Sequence, residues 1–133
     1  MVSGSCLCGG IRFEIESFAS AIYKCHCSRC RKQFGGASSA AALAFEKGFT
    51  WNHGKELIRR YRPPGSEYDT CFCSNCGSLV PLHLEGKGVF YVPMGLLDDP
   101  PGIALTRHIH LDSKADWEIL DDQTEKLNGH IEL

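Results

Sequence analysis

Cys71-Phe72-Cys73-Ser74-Asn75-Cys76-Gly77 repeats a pattern met earlier in the chain as Cys25-His26-Cys27-Ser28-Arg29-Cys30. Both read C-x-C-S-x-C, and a third cluster, Cys6-Leu7-Cys8, brings the total to eight cysteines. Side chains at i and i+2 of an extended segment point to one face, so Cys-x-Cys offers two parallel sulfurs. In a tight turn, Cys-x-x-Cys wraps two sulfurs around one tetrahedral ion at metal–sulfur distances of about 2.3 Å. Gly77 directly after Cys76 helps the chain make that turn. A closed structural site needs four ligands, so Cys6 and Cys8 must join two sulfurs of one triplet. The other triplet then keeps three sulfurs and an open fourth position, the arrangement of a catalytic zinc. Spacing leaves open which triplet is split. Zinc suits these ligands on geometry and type; iron, or an iron–sulfur cluster, is the competing metal, since four thiolates suit either.

The rest of the composition supports metal over disulfides. The chain has 133 residues, 43% hydrophobic and 23% charged, which fits one domain over residues 1–133 with a packed core. Its net charge of −2 favours no polyanionic partner such as nucleic acid. Runs such as Ala40 to Phe45 and Val89 to Leu97 are too short to span a bilayer, so no membrane partner is expected. Met1 to Gly10 has no basic region followed by an apolar stretch, which points to a reducing, cytoplasmic location. There, clustered cysteines bind metal rather than pair, with redox-active thiols left open for one or two of them. Oligomeric state is not legible.

Strand signals dominate outward from the clusters. Ile11 to Ile15 alternates with period two, and Ser38–Phe45, Phe49–Trp51, Leu57–Tyr61, Leu79–Leu84 and Val89–Val92 are short, apolar or β-branched, and bounded by Gly, Pro, Asn and Asp. Leu105 to Leu111 is a further candidate strand. Only Ser28 to Gln33 suits a helical turn, with Ser28 as its cap. The expectation is a mainly β, antiparallel domain with a polar tail, loosely held, from Asp121 onward.

Taken in order, Gly4-Ser5-Cys6-Leu7-Cys8-Gly9-Gly10, Cys25 to Lys32, Phe72 to Gly77 and the late segment His108 to Trp117 resemble the glutathione-dependent formaldehyde-activating enzyme family across nearly the whole chain. The resemblance implies an Mss4-like fold, with antiparallel sheets gathered around two zinc ions per chain. It also implies that Cys6, Cys8, Cys73 and Cys76 hold the structural zinc, and that Cys25, Cys27 and Cys30 hold the catalytic one. Cys71 is left without a role, as a buried thiol or a competing ligand.

A zinc held by three thiolates carries a formal charge of −1 and is a weak Lewis acid, better suited to holding a further thiolate than to activating water. The family's chemistry agrees: a small-molecule thiol, glutathione in the type member, adds to formaldehyde or a similar carbonyl, a carbon–sulfur lyase reaction. A non-enzymatic zinc chaperone or adaptor is the alternative, and it would need closed sites only. Alternation turns His26 away from the metal. His108 and His110 share a strand face and read as surface or packing residues. Arg29, Arg31 and Lys32 are either a solvated turn or a positive rim for an anionic substrate. Arg59, Arg60 and Arg62 read as a solvated strand face, and Phe13, Phe45, Trp51, Phe90 and Tyr91 as core.

Overall fold

Alternation along each strand decides which faces meet. In Arg12-Phe13-Glu14-Ile15, Phe13 and Ile15 are buried while Arg12 is exposed. In the computed structural model, which describes residues 1–120 and 124–129, ten strands follow in chain order. They are β1 (Val2–Ser5), β2 (Arg12–Ile15), β3 (Ile22–Cys25), β4 (Ala41–Phe45), β5 (Phe49–His53), β6 (Ile58–Tyr61), β7 (Thr70–Cys73), β8 (Leu82–Leu84), β9 (Val89–Pro93) and β10 (Leu105–Ile109). One α-helix, α1 (Ser28–Phe34), interrupts them. The mainly β expectation holds. Three strands are additions to it: β1, β3 and β7. The tail expected from Asp121 falls partly on residues 121–123 and 130–133, outside the described residues.

The strands make a three-stranded sheet, β1-β2-β5, a five-stranded sheet, β10-β3-β4-β9-β8, and a two-stranded hairpin, β6-β7. All pairings are antiparallel except β10 with β3, which run parallel, so the antiparallel rule has one exception at a sheet edge. The five-stranded sheet works with both faces. Register sets the neighbours on one face: Ala44 pairs with Phe90, and Ala42 with Val92. Ala44, Phe90 and Val92 pack against Phe13 and Ile15 of the three-stranded sheet. Phe49 bridges the two sheets, its ring stacked 3.8 Å from Phe90 and 5.6 Å from Phe13. Burying a phenylalanine of this kind contributes about 2 kcal/mol. Phe45, expected in the core, is 46% exposed because it lies one position out of that register.

The opposite face carries the next residues along the same strands: Tyr23 on β3, Leu43 on β4, Tyr91 and Pro93 on β9, Leu82 on β8. The β6-β7 hairpin packs over part of this face, where Cys71, Cys73, Val80 and Leu82 form a second core with Cys6 and Ile11. Gly54 lets β5 pass close to the β1–β2 connection. Its φ is +79°, and a Cβ there would strike the carbonyl oxygen of Gly10. That close approach fixes the loop carrying Cys8.

Candidate metal centres and the cavity beside them

Cys6 and Cys8 lie in the turn between β1 and β2, where the Gly9 amide donates to the Cys6 carbonyl oxygen at 2.9 Å. Their sulfurs therefore converge through a turn, and not through the extended geometry argued for Cys-x-Cys. Cys73 ends β7, and Cys76 follows in a turn closed by the Gly77 amide on the Cys73 carbonyl oxygen at 2.8 Å. Gly77 has φ +78°, as the Cys76-Gly77 spacing suggests. The sulfurs of Cys6, Cys8, Cys73 and Cys76 all lie within 4.8 Å of one another. Sγ of Cys8 is 3.6 Å from that of Cys6 and 3.9 Å from that of Cys73. The edge of a tetrahedron with arms of about 2.3 Å is ~3.8 Å, so the cluster fits a zinc ion without rearrangement.

Backbone amides already point at these sulfurs: Ile11 N–H donates to Cys6 Sγ at 3.3 Å and Gly10 N–H to Cys8 Sγ at 3.4 Å. Such donors favour thiolate over thiol. Ser78 and its amide hold Cys76 down at about 5. A hydrogen bond from Asn75 lowers Cys8. Burial pushes Cys6 up to about 11. Of these four, Cys6 and Cys73 are buried and Cys8 is exposed, which places the cluster at the surface end of the hairpin core.

Cys25, Cys27 and Cys30 form the second cluster, again with sulfurs within 4.8 Å of one another. Cys25 ends β3, Cys27 caps α1, and Cys30 lies in the first turn. The cap is Cys27 and not Ser28: its Sγ accepts from the Cys30 amide at 3.4 Å. Burial resists ionisation of Cys27, but the Cys30 amide and the neighbouring thiols outweigh it and lower its pKa. Cys30 is pushed up strongly, first by burial and then by Cys25 and Cys27; burial also raises Cys25. Three sulfurs so close cannot all be charged without a cation between them. That donor set suits zinc.

Among the described residues no fourth sulfur joins them. Cys71 is 3% exposed and packs in the hairpin core, belonging to neither cluster among the described residues. Burial raises its pKa, in keeping with an inert thiol. His26 turns away from the sulfurs, as alternation suggests, and is fully buried. Its Nε2 lies 2.9 Å from Nδ1 of His108, and its Nδ1 lies 3.2 Å from Glu118 Oε2, a close approach and not an aligned hydrogen bond. His108 is exposed, in keeping with a surface residue, and it is also the partner that ties β10 to the cysteine loop. No motif marks that pairing, because it depends on the parallel β10–β3 contact.

A cavity of about 990 Å³ opens beside the three-cysteine cluster, with Cys27 and Cys30 in its wall. The sheet face described above forms its floor, and α1 and the β6-β7 hairpin form its sides. Arg29 and Lys32 stand at this cavity. Arg29 also ties α1 to the hairpin loop through a 2.7 Å bond from its guanidinium to the Pro64 carbonyl oxygen. Arg60 and Arg62 are exposed, as expected, and pair with Asp69. Tyr91 lines the cavity and is not plain core. Burial raises its pKa, a hydrogen bond with Ser39 opposes this, and nearby Cys30 adds to the rise.

No helix among the described residues is long and apolar enough to cross a membrane. The chain is 27% identical to a Halomonas elongata protein named "Putative glutathione-dependent formaldehyde-activating enzyme", over 94% of this chain and 84% of that one. A crystal structure of a Rhodobacter sphaeroides protein has a similar fold, with a TM-score of 0.61 and 21% identity over 78% of this chain and 99% of that one. The family model described as glutathione-dependent formaldehyde-activating enzyme matches residues 1–113, which includes both cysteine clusters, and the chain belongs to that family.

Proposed function

We propose that the protein is a zinc-dependent enzyme of the carbon–sulfur lyase type, adding a small thiol, glutathione or a similar one, to formaldehyde or another small carbonyl compound. One observation carries this: the two clusters differ in kind. Cys6, Cys8, Cys73 and Cys76 supply a complete tetrahedral set, whereas Cys25, Cys27 and Cys30 supply three sulfurs beside a 990 Å³ cavity. The first set is the structural site and the second the catalytic one. Cys25, Cys27 and Cys30 would hold a zinc ion, which when bound would favour the thiolate form of a small thiol over its neutral form.

The chain's own residues do the rest. Arg29 and Lys32 stand where an anionic thiol's carboxylates would arrive, and their charge raises its local concentration. Tyr23, Leu43 and Tyr91 give the cavity a floor that sheds water from the reacting carbon. The His26–His108 bond and the bond from the Cys25 amide to Ser39 Oγ, 3.0 Å, hold the cysteine loop in place. A closed zinc module on the same fold would need a fourth ligand here. His26 and Cys71, the two candidates within the chain, are both turned elsewhere.

The test is adduct formation from glutathione and formaldehyde above the spontaneous rate, run beside calorimetry of thiol binding. Cys27→Ala should abolish both. Thiol binding without rate enhancement would make the protein a carrier or sensor, and absence of thiol binding to fully loaded protein would overturn the enzyme assignment.

A further inference from the structure

A cavity of 990 Å³ lies at the upper end of the range, about 300–1,000 Å³, that holds drug-sized ligands, and a one-carbon carbonyl fills little of it. Its floor is the second face of the five-stranded sheet, lined by Tyr23 on β3, Leu43 on β4, Tyr91 and Pro93 on β9, and Leu82 and Leu84 on β8. Register joins them into one surface: Leu43 pairs with Tyr91, and Tyr91 with Leu82. None of the six is charged. Arg29, Lys32 and Lys87 also line the cavity, but they are exposed and stand off this floor, two on α1 and one in the β8–β9 turn. Asp69 is paired with Arg60 and Arg62.

The floor also has a direction. Cys25 ends β3, and the sheet runs from β3 through β4 and β9 to β8. At about 4.8 Å per strand, the apolar surface extends roughly 14 Å away from the strand that leads into the cysteines. Glutathione carries two carboxylates and an ammonium group, so its place is along α1, beside Arg29 and Lys32, and it has little apolar surface to lay on this floor. The substituent on the carbonyl carbon is what remains to cover it.

Resting on the thiol addition proposed above, we infer that the second substrate is an aldehyde with an apolar chain of several carbons, which lies across Tyr23, Leu43, Tyr91 and Leu82 with its carbonyl carbon toward the cysteines. The sulfur lone pair forms the C–S bond, and the C=O π pair moves onto oxygen. That oxygen takes one proton, equal to the one the thiol releases. The chain remote from the reacting carbon supplies binding energy that formaldehyde lacks.

Steady-state kinetics with glutathione and a series of formaldehyde, acetaldehyde, butanal and hexanal test this. Each kcat/KM is divided by the spontaneous rate constant for the same pair, which removes the lower electrophilicity of the longer aldehydes. The ratio should rise about fourfold per methylene, the transfer gain of one buried CH₂. Unreactive n-alkanols from butanol to hexanol should inhibit in competition with the aldehyde and not with glutathione, tightening by about the same factor per methylene. Leu43→Trp, which fills the floor, should keep its zinc per chain and lose the advantage of hexanal over acetaldehyde. Should that variant fail to fold, the alkanol series in wild type decides. A ratio that is flat along the series, or highest for formaldehyde, overturns the inference and leaves the lyase assignment standing. So does alkanol competition with glutathione, which would make the floor the thiol's, or an undiminished hexanal advantage in folded Leu43→Trp. Absence of turnover by zinc-loaded wild type with every aldehyde of the series overturns both.

Discussion

Cys73→Ser and Cys27→Ala each remove one sulfur from a metal cluster, and they should have opposite consequences for folding. Cys73 is fully buried, pairs with Ile58 across the hairpin, and brings β7 to the turn that carries Cys6 and Cys8. Losing the ion there removes on the order of 10 kcal/mol, against a whole-domain stability of about 5–15 kcal/mol. The serine hydroxyl left in an apolar core adds about 1–3 kcal/mol more. Cys73→Ser should therefore be unfolded or aggregated. Cys27 is half-buried at the end of a short helix, and losing its cap costs about 1 kcal/mol. The segment it joins is held in other ways, because β3 is paired on both edges and the His26–His108 bond remains. Cys27→Ala should fold, carry one zinc equivalent fewer, and melt a few degrees lower. Elemental analysis per chain and thermal unfolding by circular dichroism measure both. Two variants that fold equally well, or a Cys27→Ala that collapses while Cys73→Ser survives, would refute the division of labour between the clusters.

Acid should empty the clusters in order. Metal competes with protons for thiols. In the three-sulfur cluster burial raises two of the three, Cys25 and Cys30, with only Cys27 lowered; in the four-sulfur cluster Cys6 is raised to about 11, but Cys8 is lowered and Cys76 is held near 5. As pH falls from about 8, chelator competition should strip the Cys25–Cys27–Cys30 ion first; the reverse order would contradict the thiol environments described. Gly54→Ala should destabilise far more than Gly77→Ala. Both have φ near +78°, at +79° and +78°, but only at Gly54 does a Cβ meet backbone, while at Gly77 nothing lies within 4 Å. The shared conformational cost is about 1–2 kcal/mol, so equal drops in Tm would show that the Gly10 contact gives way freely.

Local chemistry was legible in the sequence wherever it depended on neighbours in the chain. Cysteine spacing marked the metal-binding segments but left open which triplet is split, which the family resemblance supplied; alternation placed Phe13 and Ile15 in the core and turned His26 from the sulfurs. What escaped depended on distant contacts. Thr70–Cys73 is a strand because Ile58–Tyr61 lies beside it, and Cys6-Leu7-Cys8 converges through a turn stabilised from Ile11. Ser28 looked like the cap by residue type, yet the thiol one place earlier takes that position because it must also face its two partners. The pairing of His108 with His26 and the exposure of Tyr91 to the cavity carried no local mark. One acquires its place through a parallel strand and the other through the second face of a sheet whose first face is core.

The His26–His108 bond joins residues 82 positions apart. During synthesis at roughly 5–20 residues per second, the cysteine loop therefore waits on the order of 4–16 s before its partner strand exists. Non-local pairing of this kind is also slow to form once the residues are present. Through that interval the three thiols meet the metal supply of their surroundings with no β10 at their side. Affinity of first-row ions for such sites follows the Irving–Williams order, so the supply of each ion helps decide which one is bound. Which ion the mature site holds is then partly a matter of birth: of what was on offer while the nascent chain was still being made.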